Sequence, residues 1–240
     1  HVNIMTSTDL GAVLNVSGDA IIQNANNTAT LTLESTDADA NVGPLLDFNR
    51  NSSSPGDNDY IGEIRFQGEN SNNATINYAG IAARIVDVTA DTEDGRIEIY
   101  TDLAGAQTSR ILADATETVI NQDSADLDFR VESNGLTNAF VVDGGNNGVG
   151  INATPRSDLH TTWAQMFIGQ KGSLISERDS AGGDAGTKLT DNIYIDSDTG
   201  ARACIETNQS SFFSQEAGVF SFKSAVSASA GAAPSLIEYF

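Results

Sequence analysis

Apolar and polar positions alternate one by one over much of this chain, which is the period of a strand with one face buried. In Gly62-Glu63-Ile64-Arg65-Phe66-Gln67, Ile64 and Phe66 share one face, while Glu63, Arg65 and Gln67 share the other. Arg96-Ile97-Glu98-Ile99-Tyr100 repeats the arrangement, with Ile97 and Ile99 expected to point inward. Ile81 and Ile85 lie on one face opposite Arg84, and the small Ala83 between them suggests close approach of a neighbouring backbone. Helical periodicity is nearly absent; only Asp158–Met166 reads as a short helix or turn. The pattern predicts an all-β fold.

The strand candidates fall into four segments. Residues 1–44 read as an N-terminal β stalk segment, with short strands at Ala12–Val16, Ala20–Ile22 and Thr30–Ser35. The last of these is echoed by Leu127–Ser133, too loose a repeat to make a solenoid. Residues 45–115 read as a β-rich body module, opened by a loop of turn-forming residues from Asn49 to Asp59. Residues 116–155 read as a thin stalk or connector containing Val149-Gly150-Ile151. A strand so short is unstable alone, so it is expected to pair with equivalent segments of neighbouring chains. Residues 156–240 read as a C-terminal β module, the tip, with strands near 166–169, 173–176, 192–196, 203–206, 219–223 and 236–240. The small-residue run Ala225–Pro234 reads as loop or extended chain.

Composition sharpens this picture in one respect. Leu, Ile, Val and Phe make up roughly 23% of the 240 residues, just above the range of disordered chains. A lone copy would therefore own a thin core, and burial between subunits is the natural remedy. The net charge of −21 falls mostly before residue 156. Such a surface disfavours nucleic acid, whose binding needs Lys and Arg to displace counterions, and disfavours anionic membranes; no apolar run is long enough for a transmembrane helix. Association of such chains is expected to need salt or divalent cations to screen their repulsion.

The chemistry-bearing residues are sparse. Cys204 is the single cysteine, so no intrachain disulfide forms, and it reads as a buried strand residue. His1 and His160 are the only imidazoles, too few for a three-histidine zinc site, and His160 reads as a satisfied residue rather than a catalytic base. Carboxylates are plentiful enough for glycoside hydrolysis, but the aromatic platforms of a sugar cleft are scattered. No catalytic residue and no cofactor is assigned. Asp57-Asn58-Asp59 and Asp196-Ser197-Asp198 group oxygens as calcium requires, with Asp196 and Asp198 as candidate ligands of a structural ion; equally, such acids cap their own turns. Trp163, Tyr194, Phe212 and Phe213 are the candidate receptor-binding residues, able to stack on a sugar or bury against a receptor protein, or else to fill the core of a small β module.

One stretch carries a family resemblance. Phe140-Val141-Val142-Asp143-Gly144 leads into an Asn-rich turn, then Val149-Gly150-Ile151 and Thr154-Pro155. With Leu127–Ser133 upstream, Leu159-His160 downstream, and the earlier blocks from Leu46 to Thr101, this resembles repeats of bacteriophage tail fibres and related virion appendages. The likeness covers residues 46–160 and departs at Asn152, where the family more often has glycine. It implies an elongated, intertwined homotrimeric fibre with thin β stalk segments and small β-sandwich-like modules, displayed on the virion surface after synthesis in the host cytoplasm. Its implied partners are its own copies, other tail or head proteins of the virion, and a host cell-surface glycan or protein. A head fibre or filament subunit without receptor contact, and a polysaccharide-degrading tailspike, are the alternative roles. In similar proteins a self-cleaving intramolecular chaperone follows the fibre, and Ile237–Phe240 falls where one would begin.

Overall fold

The computed structural model describes residues 19–177, 186–198, 200–216 and 218–239. The chain divides into two compact units, His1–Asn49 and Arg50–Phe240. In the first unit, residues 19–49 contain no strand and every side chain is exposed. Local turns hold it: Asn26 N–H donates to Asn24 Oδ1, Thr28 N–H to Asn26 Oδ1, and Asn41 N–H to Asp39 Oδ1. The strands expected at Ala20–Ile22 and Thr30–Ser35 are therefore absent. Their β-branched residues have no second strand to pair with among the described residues, and an unpaired strand leaves its backbone groups to water. The expected strand at Ala12–Val16 lies outside the described residues.

The second unit is all-β, with no helix among the described residues. Strands β1 (Tyr60–Glu69), β2 (Thr75–Asp87), β3 (Asp94–Leu103), β4 (Ala106–Ala113) and β5 (Thr118–Ile120) form an antiparallel meander in sequence order. The sheet thus continues past residue 115 to take in β5. Short loops join its strands, the tightest between β3 and β4, where Ala104 and Gly105 both have positive φ, as a two-residue hairpin loop of primed type demands.

A nine-stranded sheet follows. Its order begins at one edge with β6 (Phe129–Ser133), β7 (Leu136–Asp143), β8 (Gly148–Ile151), β9 (Trp163–Ile168) and β10 (Gly172–Glu177). It continues through β11 (Gly186–Asp191), β14 (Asn208–Glu216), β15 (Val219–Ala228) and β16 (Ile237–Tyr239). Between β11 and β14 the chain leaves to form a separate hairpin, β12 (Ile193–Ile195) with β13 (Arg202–Cys204). All pairings are antiparallel except β8 with β9. The Asp158–Met166 stretch is turn leading into β9, not helix.

Two expectations are corrected here. The sheet runs unbroken across residue 155, so 116–155 is no separate thin stalk. The Val-Gly-Ile segment is an interior strand: β8 pairs antiparallel with β7 and parallel with β9 of the same chain. Its backbone groups need no neighbouring copy. The parallel partner arrives only after a connection through Pro155, and nothing in the local pattern announces it.

Candidate functional site

The two faces of the nine-stranded sheet differ in kind. On the inward face sit Gln165, Phe167, Ser173, Ile175, Lys188, Thr190, Phe212 and Ser214, all buried. The β12–β13 hairpin covers them, and its Ile193, Tyr194 and Ile195 are themselves enclosed. Phe167, Tyr194 and Ala203 form the apolar centre, with Leu159 and Ile205 against it. Polar side chains on this face stitch the hairpin down rather than line a cleft. Ser173 Oγ donates to the Ile193 carbonyl at 2.8 Å, and Gln165 exchanges hydrogen bonds with the Ile195 backbone in both directions. Asn192 carries two more backbone carbonyls, of Glu206 and Gln209, at 3.0 Å each.

The four candidate aromatic residues are not brought together. Tyr194 is 2% exposed, its ring beneath Arg156 at 3.9 Å, and burial, ahead of the nearby Asp158 charge, pushes its phenol above the ordinary value. Phe212 is 4% exposed, with Arg202 and Lys223 over its ring. Both rings serve the interior. Trp163 is half-buried at the start of β9, with Lys188 Nζ 4.7 Å from its ring centre; that buried ammonium also pairs with Glu216. Phe213 alone lies on the outer face, as adjacent strand residues must, stacked on Phe220 at 5.7 Å and tilted against Phe222 at 5.0 Å.

The acidic candidates cap turns. Asp196 Oδ1 accepts from the Asp198 N–H at 3.1 Å, and Asp198 Oδ1 accepts from Ser197 Oγ; Thr199 lies outside the described residues. In the earlier pair, Asp57 holds the Val88 N–H, and Asp59 holds the Gly56 N–H and Arg50. No three metal-ligating side chains converge among the described residues. Arg156 clamps Asp158 through two nitrogens, which keeps that carboxyl below its usual range. His160 Nδ1 shares a hydrogen bond with Thr162 Oγ1, and Cys204 is fully buried in β13.

The outer faces hold what the sequence pattern alone does not display. In the five-stranded sheet, register aligns Ile64, Ile81, Ile99, Ile111 and Ile120, one isoleucine per strand across the whole sheet. All but Ile81 are exposed to about the degree of Ile99, at 39%. The next row on that face, Gly62, Ala83, Ile97, Ala113 and Thr118, carries no ionised group either. The sequence pattern expects Ile64, Phe66, Ile97 and Ile99 to be covered; nothing among the described residues covers them. The nine-stranded sheet repeats the motif. Phe129, Val142, Val149, Met166 and Leu174 align in register on its first five strands. Leu189, Phe213, Phe222 and Tyr239 continue that row to the far edge. Leu189, Phe222 and Tyr239 are each more than half exposed and border an open groove of about 560 Å³. Comparison of the chain with protein-family models, with curated proteins and with solved structures found no match.

Proposed function

We propose that this chain is a segment of a homotrimeric bacteriophage fibre, on the virion surface, that joins other virion proteins to a glycan or protein of the host surface. One observation carries the reading: both sheets pair their interior strands within a single copy, yet among the described residues each leaves an apolar face uncovered. Monomeric soluble proteins rarely expose a contiguous apolar patch beyond a few hundred Å². Association of copies covers these faces. Residues 19–49, strandless and with Ile21, Ile22, Leu31 and Leu33 exposed, supply the intertwined thin stalk, while the sheets supply the thicker modules.

The virion assignment rests on the resemblance of residues 46–160 to phage fibre repeats. The role is mechanical and adhesive rather than catalytic: weak contacts at three tips combine into firm attachment through effective concentration. In this reading Tyr194 and Phe212 act from inside, holding the hairpin of the tip module in place, and Trp163 keeps a partly open ring for a receptor. Native mass and particle labelling test the proposal together. A trimer at dilute concentration, with antibody label on the tail of intact particles, is the expected result. A stable single chain, or label confined to the capsid, removes it.

A further inference from the structure

We infer that the two uncovered apolar rows, the isoleucine row of β1–β5 and the nine-strand row of β6–β16, are the surface through which copies of this chain bind one another. This rests on the proposed self-association and names the face responsible. Three observations select a second copy as the occupant. The first is charge. The chain carries −21, so copies repel over most of their surface, but neither row holds an ionised side chain. In the five-stranded sheet Glu63, Arg65 and Glu98 lie on the reverse face, away from the isoleucines. A basic protein or a cation-rich surface would be drawn to the carboxylates and would gain nothing from the rows.

The second is shape. Strands lie about 4.8 Å apart, so a row of one isoleucine per strand presents the same branched side chain at a fixed repeat, and a copy of itself offers that same repeat in return. The third is area. Ten side chains of the two rows are exposed, at 37–59%; aromatic side chains bury roughly 150–250 Å² when enclosed and aliphatic ones somewhat less, so the ten leave on the order of 1,000 Å². That meets the approximately 800 Å² per partner of a stable protein interface.

The experiment uses the full chain. Sedimentation compares the wild type with Ile99→Glu, Leu189→Glu and the double variant, with Arg65→Ala on the reverse face as control. A buried unpaired carboxylate is costly, so each row variant should raise the concentration needed for assembly by about tenfold or more. The double variant should remain single, and Arg65→Ala should assemble as the wild type does. In parallel, Ile99→Cys is treated with a short thiol cross-linker. Covalent multimers are expected from it and not from the wild type, whose Cys204 is buried, nor from Arg65→Cys. Because Ile99 is exposed in one copy, the cysteine leaves the sheet intact and decides the matter even where a glutamate disturbs folding. Row variants that assemble normally, or an Ile99→Cys protein that stays uncross-linked while assembled, overturn the inference and leave the fibre reading standing. A wild type that sediments as a single chain overturns the fibre reading itself.

Discussion

The reverse face of the five-stranded sheet turns on one residue, Tyr100. The residue is 1% exposed and its ring abuts Gly80, where an added Cβ would land on the ring itself. Here it is a ring, not a backbone, that approaches; Ala83, picked out from the sequence for close approach of a backbone, lies in register between Gly62 and Ile97. Gly80→Ala should therefore cost about 1–3 kcal/mol through overpacking, read as a lower urea midpoint with unchanged slope. The Tyr100 hydroxyl donates to Glu63, which also accepts from Arg65 at 2.7 Å. Arg65 first, then Tyr100, holds the Glu63 carboxyl below its ordinary value of 4.5. Burial first, then Glu63, pushes the Tyr100 phenol up to about 12 from 10.0. Linkage fixes the signs. Above the ordinary carboxyl value the Glu63 contribution is complete, and it drains away as acid carries the pH down through the lowered folded value. The Tyr100 contribution is complete below 10 and is lost as the pH rises from 10 toward 12, because the unfolded chain gives up that proton first. Urea titrations across pH 8–12 should show the wild type losing stability more steeply than Tyr100→Phe over that window; parallel slopes would rule the assignment out.

Among the elements, β8 shows how far local pattern reaches. Its glycines and the Asn-rich turn are visible in the sequence, and so is Asn152 as a departure from glycine. The structure explains the tolerance: Asn152 sits at φ +49°, a left-handed conformation that asparagine adopts with little penalty. Asn152→Gly should shift the thermal midpoint little, whereas Asn152→Val should cost about 1–2 kcal/mol. Gly150→Ala should be worse, since a Cβ there would fall on the Ala153 carbonyl and within 2.9 Å of Val141. Equal melting of all three variants would sink this account of the turn. Alternation also located β1, β2 and β3 and assigned Ile64 with Phe66, and Ile97 with Ile99, to common faces. Register was not legible, because bulges at Phe66/Gln67, Ile85/Asp87 and Ile99/Tyr100 reset it, and only the reset register aligns the five isoleucines. Adjacent Phe212 and Phe213 break the alternation of a half-buried strand, yet β14 accommodates them by burying Phe212 and turning the half-buried Phe213 to the outer face. The aromatic alternation of Phe220 and Phe222, by contrast, is a plain signal of the outer patch in the sequence. Residue type singles out Trp163, Tyr194, Phe212 and Phe213, but type alone does not say which face of a sheet a ring occupies.

For the molecule as a whole, two forces of different range act on association. Apolar rows attract only on contact, and their strength depends weakly on dilute salt. The carboxylate excess behind the net charge of −21 repels at a distance, over a screening length of about 30 Å at 0.01 M salt and about 10 Å at 0.1 M. At low ionic strength the charge clouds of approaching copies overlap before their rows meet; at higher ionic strength the repulsion collapses while the contact energy stays. Assembly should therefore tighten as simple salt is raised from about 0.01 M to about 0.3 M, the reverse of a complex held by ion pairs. Sedimentation at fixed protein concentration reads this directly, and a monovalent salt should serve as well as a divalent one because screening, not ligation, is at work. If calcium alone promoted assembly at matched ionic strength, a bound ion would have to bridge the copies, and Asp196 and Asp198 would return as its first candidate ligands. Loss of assembly with added salt would instead place ionic contacts at the interface and move it off the two apolar rows.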